Sequence, residues 1–163
     1  MNKDQRQLEL LVQSINEVAR IESVIDSLPR GYISVKRIAG HTYYYRQWRE
    51  GDKIISNYVP EAFLNGVKQK IIIRKENEQL LKITKKDLLK AIRLTLKAGL
   101  LNEEQIEQLK EGAKYDNLPL NERKAFIADK FPNRDAKLDN AISYYVEGLA
   151  SYNNLLLISW GIN

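Results

Sequence analysis

Residues 31–59 read GYISVKRIAGHTYYYRQWREGDKIISNYV. β-Branched and aromatic residues dominate, and Gly31, Gly40 and Gly51 punctuate the stretch. This composition and spacing predict three antiparallel strands at about 32–38, 41–49 and 54–59. Ala39-Gly40 and Gly51-Asp52 supply two tight turns, where glycine provides positive φ. Two-residue turns also set the register. Facing residue numbers then sum to 79 across the first turn and 103 across the second. One face collects Ile33, Val35, Tyr44, Trp48, Ile55 and Val59, with Arg46 and Asn57 among them. It is the expected core face, with the helix after Pro60 as its cover. The other collects Tyr32, Ser34, Lys36, Tyr43, Tyr45, Gln47, Arg49, Ser56 and Tyr58.

The flanking sequence is helical. Residues 4–27 carry Leu8, Leu11, Val12, Ile15, Val18, Ala19 and Ile25 at three-to-four spacing, and Leu28-Pro29 ends the stripe. After Pro60, Phe63, Leu64, Val67 and Ile71 mark another helix, while Ile71-Ile72-Ile73 fits either helix or a short strand. Thr84 and Asp87 resemble a capping box and predict a new helix to about Ala98, closed by Gly99. Asn102 is expected to cap a short helix to Lys110, stopped near Gly112. A loop at 113–121, a helix from Asn121 to about Phe131 and a last helix from about Asp135 to Leu157 complete the chain. Leu138, Ile142, Tyr145, Val146, Leu149, Leu156 and Trp160 mark the expected buried side of the last helix and tail. The fold class is α+β: a small three-stranded β-meander with a mostly helical remainder. The expected divisions are an N-terminal helix at 1–27, a basic sheet-plus-helix module at 28–83 and a helical region at 84–163.

The 163 residues include 26 Lys plus Arg, 21 Asp plus Glu, one His and no Cys, for a formal charge of +5. That charge is uneven. Residues 28–98 hold 16 basic and 6 acidic side chains, while 1–27 and 99–163 are net acidic. Such clustering is the electrostatic footprint of a polyanion binder. A solvated lysine-rich helix is the plainer account for residues 68–97. The missing cysteines exclude a disulfide framework, a thiolate metal site and a cysteine nucleophile. The start MNKDQRQLEL has no apolar signal core, and Leu155–Ile158 is the longest apolar run, so a cytoplasmic protein without a membrane span is expected.

The second sheet face is the most informative feature. Tyrosines offer π surfaces and hydroxyls, and Arg and Lys neutralise phosphates. Nucleic-acid binding, protein contact and internal burial are all open for it. The candidate contact residues are Arg30, Lys36, Arg37, Tyr43, Tyr45, Arg46, Arg49 and Lys53.

The segment from Gly31 to about Lys75 resembles the arm-type DNA-binding domains of phage and transposon tyrosine integrases. The resemblance rests on Tyr43-Tyr44-Tyr45-Arg46-Gln47-Trp48-Arg49, the Gly51-Asp52-Lys53 turn and the helix from Ala62 to Lys75. It is also similar to an uncharacterised sheet-plus-helix module of Gram-positive bacteria and their mobile elements. The resemblance implies a three-stranded sheet that enters DNA, and a phage or mobile-element origin. It covers about 45 residues, and no integrase catalytic constellation accompanies it. Only a DNA-binding role through Lys36, Tyr43, Tyr45, Arg49 and Lys53 carries over.

Residues 94–109 have a helix–glycine–helix outline, but Glu103, Glu104, Glu107 and Glu111 suit packing or self-association better than DNA. His41 reads as a solvated turn residue. Asp135 and Asp139 share a helix face and read as surface charge rather than a Mg²⁺ site. No Walker loop, G-x-S-x-G or G-x-G-x-x-G occurs. The expectation is a non-enzymatic nucleic-acid-binding accessory protein without cofactor or metal, with DNA ahead of RNA as partner and a homodimer as an option. The alternative is a protein-binding inhibitor, an antitoxin or anti-defence protein such as an anti-CRISPR, acting on a nucleic-acid-handling enzyme.

Overall fold

The structure, a computed structural model, describes residues 2–161. The elements run α1 (Lys3–Asp26), β1 (Tyr32–Ile38), β2 (His41–Glu50), β3 (Lys53–Val59), α2 (Glu61–Lys97), α3 (Glu103–Tyr115), α4 (Leu120–Lys130), α5 (Ala136–Val146) and α6 (Tyr152–Ser159). The α+β class with a small meander is therefore present. The chain forms two compact units: Ile21–Ile83, and the residues up to Arg20 together with those from Thr84 onward. The boundary at 83/84 lies inside α2, and the other lies inside α1.

In Ile21–Ile83, the strands form one antiparallel sheet in the order β1-β2-β3. Tyr32 faces Gln47, Lys36 faces Tyr43, and Tyr45 faces Tyr58, as the two short turns dictate. Ala39 and Gly40 both have positive φ, 52° and 81°, the type I′ pattern. Gly51 takes φ 58° at the second turn. Ile21, Ile25, Val59, Leu64 and Ile71 are buried, whereas Ile33, Tyr44, Trp48 and Ile55 are only half-buried. Val35, expected in the core, is 59% exposed, as are its neighbours toward the Ala39-Gly40 tip. A seven-residue strand is about 23 Å long, and a helix about 10 Å wide cannot cover its full length.

Arg74 closes α1 from within this unit. Its Nη1 donates to the carbonyls of Ile25 and Leu28, both at 2.7 Å, and its Nε pairs with Glu78 at 2.9 Å. Ile25 lies in the last turn of α1, where intrahelical partners run out, and Leu28 lies two residues past its end. Arg74→Met keeps the aliphatic packing and removes both carbonyl bonds and the Glu78 pair. The expected cost is about 2 kcal/mol in urea denaturation; an unchanged midpoint would show that water replaces the guanidinium.

α2 corrects the expectation of a fresh helix at Thr84. Thr84 is buried inside a continuous 37-residue helix. No glycine or proline occurs from Val67 to Ala98, and extending a helix is easier than nucleating a second one. The isoleucine run at 71–73 is helical for the same reason.

In the other unit, Leu8, Leu11, Val12, Ile15 and Val18 of α1 are buried, as are Leu88, Ala91, Ile106, Leu109, Ile127, Ile142, Leu155 and Leu156. Each buried Leu, Ile or Val among them contributes about 1.5–3 kcal/mol. α3 starts with a capping box between Asn102 and Gln105, and then runs past Gly112 to Tyr115. Gly112 does not stop the helix; it admits a ring. A Cβ there would lie 2.0 Å from Tyr152 Cδ1. The expected long last helix is two helices, because Gly148 at φ 83° ends α5 and Ser151 caps α6. The break leaves Leu149 65% exposed rather than buried.

Asp116 sits at the joint of these helices. It follows α3, and its Oδ1 accepts the Tyr152 N–H at 2.9 Å. Arg123 donates to the carbonyls of Asp116 and Leu118 at 2.7 and 2.6 Å, and the Tyr145 hydroxyl donates to the Tyr115 carbonyl at 3.2 Å. Burial pushes the Asp116 carboxyl up to about 6, against the opposing pull of the Tyr152 N–H and Arg123. Burial likewise raises the Tyr145 hydroxyl to about 12. A carboxyl with a raised folded value keeps its proton in the folded state after the unfolded chain has lost it. The stability from this group is therefore fully present below the unfolded value of 3.8 and is lost as pH rises toward 6. Asp116→Asn keeps the acceptor and removes the titration. It should flatten the decline over that window and stabilise the protein at neutral pH by about 2 kcal/mol. Thermal melts across the range check this, and parallel curves for the two proteins would refute it.

Candidate nucleic-acid interface

The strand alternation places Lys36, Tyr43, Tyr45 and Arg49 on one sheet face, together with Tyr32, Gln47, Ser56 and Tyr58. Tyr32 and Tyr58 are 53% and 57% exposed, and Lys36, Arg49 and Ser56 are exposed as well. The face is open to solvent. Its rows are well defined. Tyr45 and Tyr58 pack edge to face at 5.9 Å between ring centres, and Tyr43 meets Tyr58 at 6.4 Å. The Lys36 ammonium stands 4.8 Å above the Tyr45 ring. In the next row the Tyr32 hydroxyl donates to Gln47 Oε1 at 2.9 Å, and Gln47 Nε2 donates to Ser56 Oγ at 3.4 Å. These contacts fix the side chains of a flat aromatic-polar platform. Lys36 faces Tyr43, six residues from Arg49 along β2, so the two cations bracket the platform at about 20 Å.

The other candidate residues are placed differently. Arg46 lies on the opposite face, in contact with the Trp48 ring at 3.9 Å, and its Nη1 donates to the Arg30 carbonyl at 2.7 Å. Burial, then the like charges of Arg30 and Arg74, lowers its pKa. Arg30 pairs with Glu50 at 3.2 Å, and the Trp48 indole N–H donates to the same carboxylate oxygen at 3.0 Å. That donation, with help from Arg30, holds the Glu50 carboxyl below its ordinary value. Arg37 Nε reaches Thr42 Oγ1 at 3.5 Å, also on the opposite face. Lys53 faces Glu50 beside the second turn.

Six of the eight candidates thus fall into two groups, and Arg37 and Lys53 belong to neither. Lys36, Tyr43, Tyr45 and Arg49 share the open platform. Arg30 and Arg46 join Trp48 and Glu50 in a latch that ties the segment before β1 to β2. Gly31 belongs to that latch: a Cβ there would lie 2.0 Å from the Gln47 carbonyl oxygen. Tyr58 is not among the eight, yet it touches both central tyrosines, and its place opposite Tyr45 follows from the turn arithmetic. Nor are Ile38 and Ile54, 54% and 60% exposed on the platform face.

The remaining sequence candidates have structural placements. Asp135 caps α5 through the Leu138 N–H, and Asp139 pairs with Arg134 at 3.1 Å. Among the described residues no group of three or more His, Cys, Asp or Glu side chains can hold a metal ion. Thr95 is buried and donates to the Ala91 carbonyl, while Glu103, Glu104, Glu107 and Glu111 are exposed along α3. His41 is exposed at the first turn. No helix among the described residues is long and apolar enough to cross a membrane.

Residues 1–69 match a protein family described as a domain of unknown function, DUF6788. The matched segment includes α1, the latch, the whole platform and the start of α2. Neither the curated proteins nor the solved structures contain a match.

Proposed function

We propose that this is a non-enzymatic, cytoplasmic nucleic-acid-binding protein, with DNA ahead of RNA as its partner and a phage or mobile element as its source. The observation that carries the proposal is the open platform of Tyr32, Tyr43, Tyr45 and Tyr58 with Lys36 and Arg49 at its two ends. Cations contribute phosphate neutralisation, and fixed hydroxyls and amides contribute oriented hydrogen bonds. Fluorescence anisotropy of labelled duplex DNA, single-stranded DNA and structured RNA tests it. Saturable binding at low salt, competed by unlabelled nucleic acid, is the expected result. Flat titrations with all three probes would refute it.

A second reading has its own observation. Ile38 and Ile54 stand exposed on the same face as the tyrosines, and apolar and aromatic exposure together suits a protein interface. In that case the protein is an inhibitor docking on a nucleic-acid-handling enzyme. Its mark is a stoichiometric complex with such an enzyme together with the flat titrations.

A further inference from the structure

We propose that the last three turns of α2 carry a separate phosphate-binding stripe, made by Lys86, Lys90, Arg93 and Lys97; the inference rests on the nucleic-acid reading above. These residues stand at i, i+4, i+7 and i+11, which places them within an arc of about 60° along about 16 Å of helix. All four are exposed. Elsewhere Arg20, Arg30, Arg74, Lys110, Lys130 and Arg134 have carboxylate partners. Among the described residues no ion pair involves any of the four. The adjacent acid, Asp87, projects to one side of the stripe. Like charges three and four residues apart work against the helix. The stripe is therefore an unneutralised row of cations on a rigid element.

The spacing selects the partner class. One cation every 5 Å or so along a line suits successive phosphates of a nucleic-acid backbone. A membrane surface fits less well. A helix lying on a bilayer needs a contiguous apolar face. Here the exposed Leu89 and Leu94 stand on opposite flanks with the cations between them, and the far side, with Leu88, Ala91 and Thr95, is already buried.

The test compares the whole protein with the quadruple variant Lys86→Gln, Lys90→Gln, Arg93→Gln, Lys97→Gln. Glutamine removes the charge and preserves helix propensity. A control variant, Lys114→Gln with Lys124→Gln, removes two exposed cations elsewhere. Each is titrated with duplex DNA over a range of salt, and with anionic phosphatidylserine vesicles. The slope of log affinity against log salt should become shallower by about 3.6 in the quadruple variant, with at least a tenfold loss of affinity at low salt. The control should keep most of its slope. An unchanged slope in the quadruple variant would overturn the stripe while leaving the sheet platform intact. A wild-type protein that binds vesicles but no nucleic acid would overturn the stripe and the functional reading together. Circular dichroism melts confirm that each variant is folded.

Discussion

Gly31→Ala is expected to unfold the sheet-bearing unit. Two independent costs meet at this residue. Its φ of +103° is one that L side chains rarely adopt, and an added Cβ would stand 2.0 Å from the Gln47 carbonyl oxygen and 3.0 Å from Trp48 Cβ. The first obstacle is backbone, so no side-chain rotation relieves it. The strand must move, and Arg46, Trp48 and Glu50 on it form the latch to Arg30. The loss should be about 3–5 kcal/mol, at the upper end for a single substitution. Gly40→Ala provides the comparison: φ is +81°, but nothing lies within 4 Å of the added Cβ. It should cost only about 1–2 kcal/mol. Denaturation followed through Trp48 in a Trp160→Phe background measures both. Equal losses would show that the close approach to Gln47 is relaxed in solution.

Lys36→Glu with Arg49→Glu should abolish nucleic-acid binding without unfolding the protein. Both side chains are exposed, and neither takes part in an ion pair among the described residues. Charge reversal at the two ends of the platform removes two phosphate contacts and adds two repulsive ones. An affinity loss of at least a hundredfold at low salt, with a melting temperature within a few degrees of wild type, is expected. Arg46→Ala should behave in the opposite way, lowering stability while leaving much of the binding. It sits on the other face, stacked on Trp48 and bonded to the Arg30 carbonyl. If Arg46→Ala and the double reversal lose binding equally, the division of the basic residues into latch and platform is mistaken.

The sheet is legible in sequence because its information is local. Two short turns with glycine fix the register, and alternation then assigns each side chain to a face. The same arithmetic sets Arg46 on the face opposite Lys36, so its place away from the platform follows from the turn positions alone. Arg30 is not legible in that way. Its carbonyl and guanidinium are used in contacts 16 and 20 residues away. The helical half is harder, because tertiary packing overrides local signals there. Gly112 reads as a helix stop and serves as a seat for Tyr152. Thr84 reads as a cap and is a buried residue inside α2. Gly148, within the expected last helix, ends α5. The exposure of the tyrosine face depends on what the rest of the chain covers, and no strand pattern contains that.

The salt dependence of duplex binding tests the central claim most directly. Affinity should fall linearly with log salt for the wild-type protein. The Lys36→Gln, Arg49→Gln pair should flatten that slope by about 2, one phosphate contact for each lost cation. Affinity that ignores salt, or a slope unmoved by removing both cations, would contradict the platform as a nucleic-acid interface.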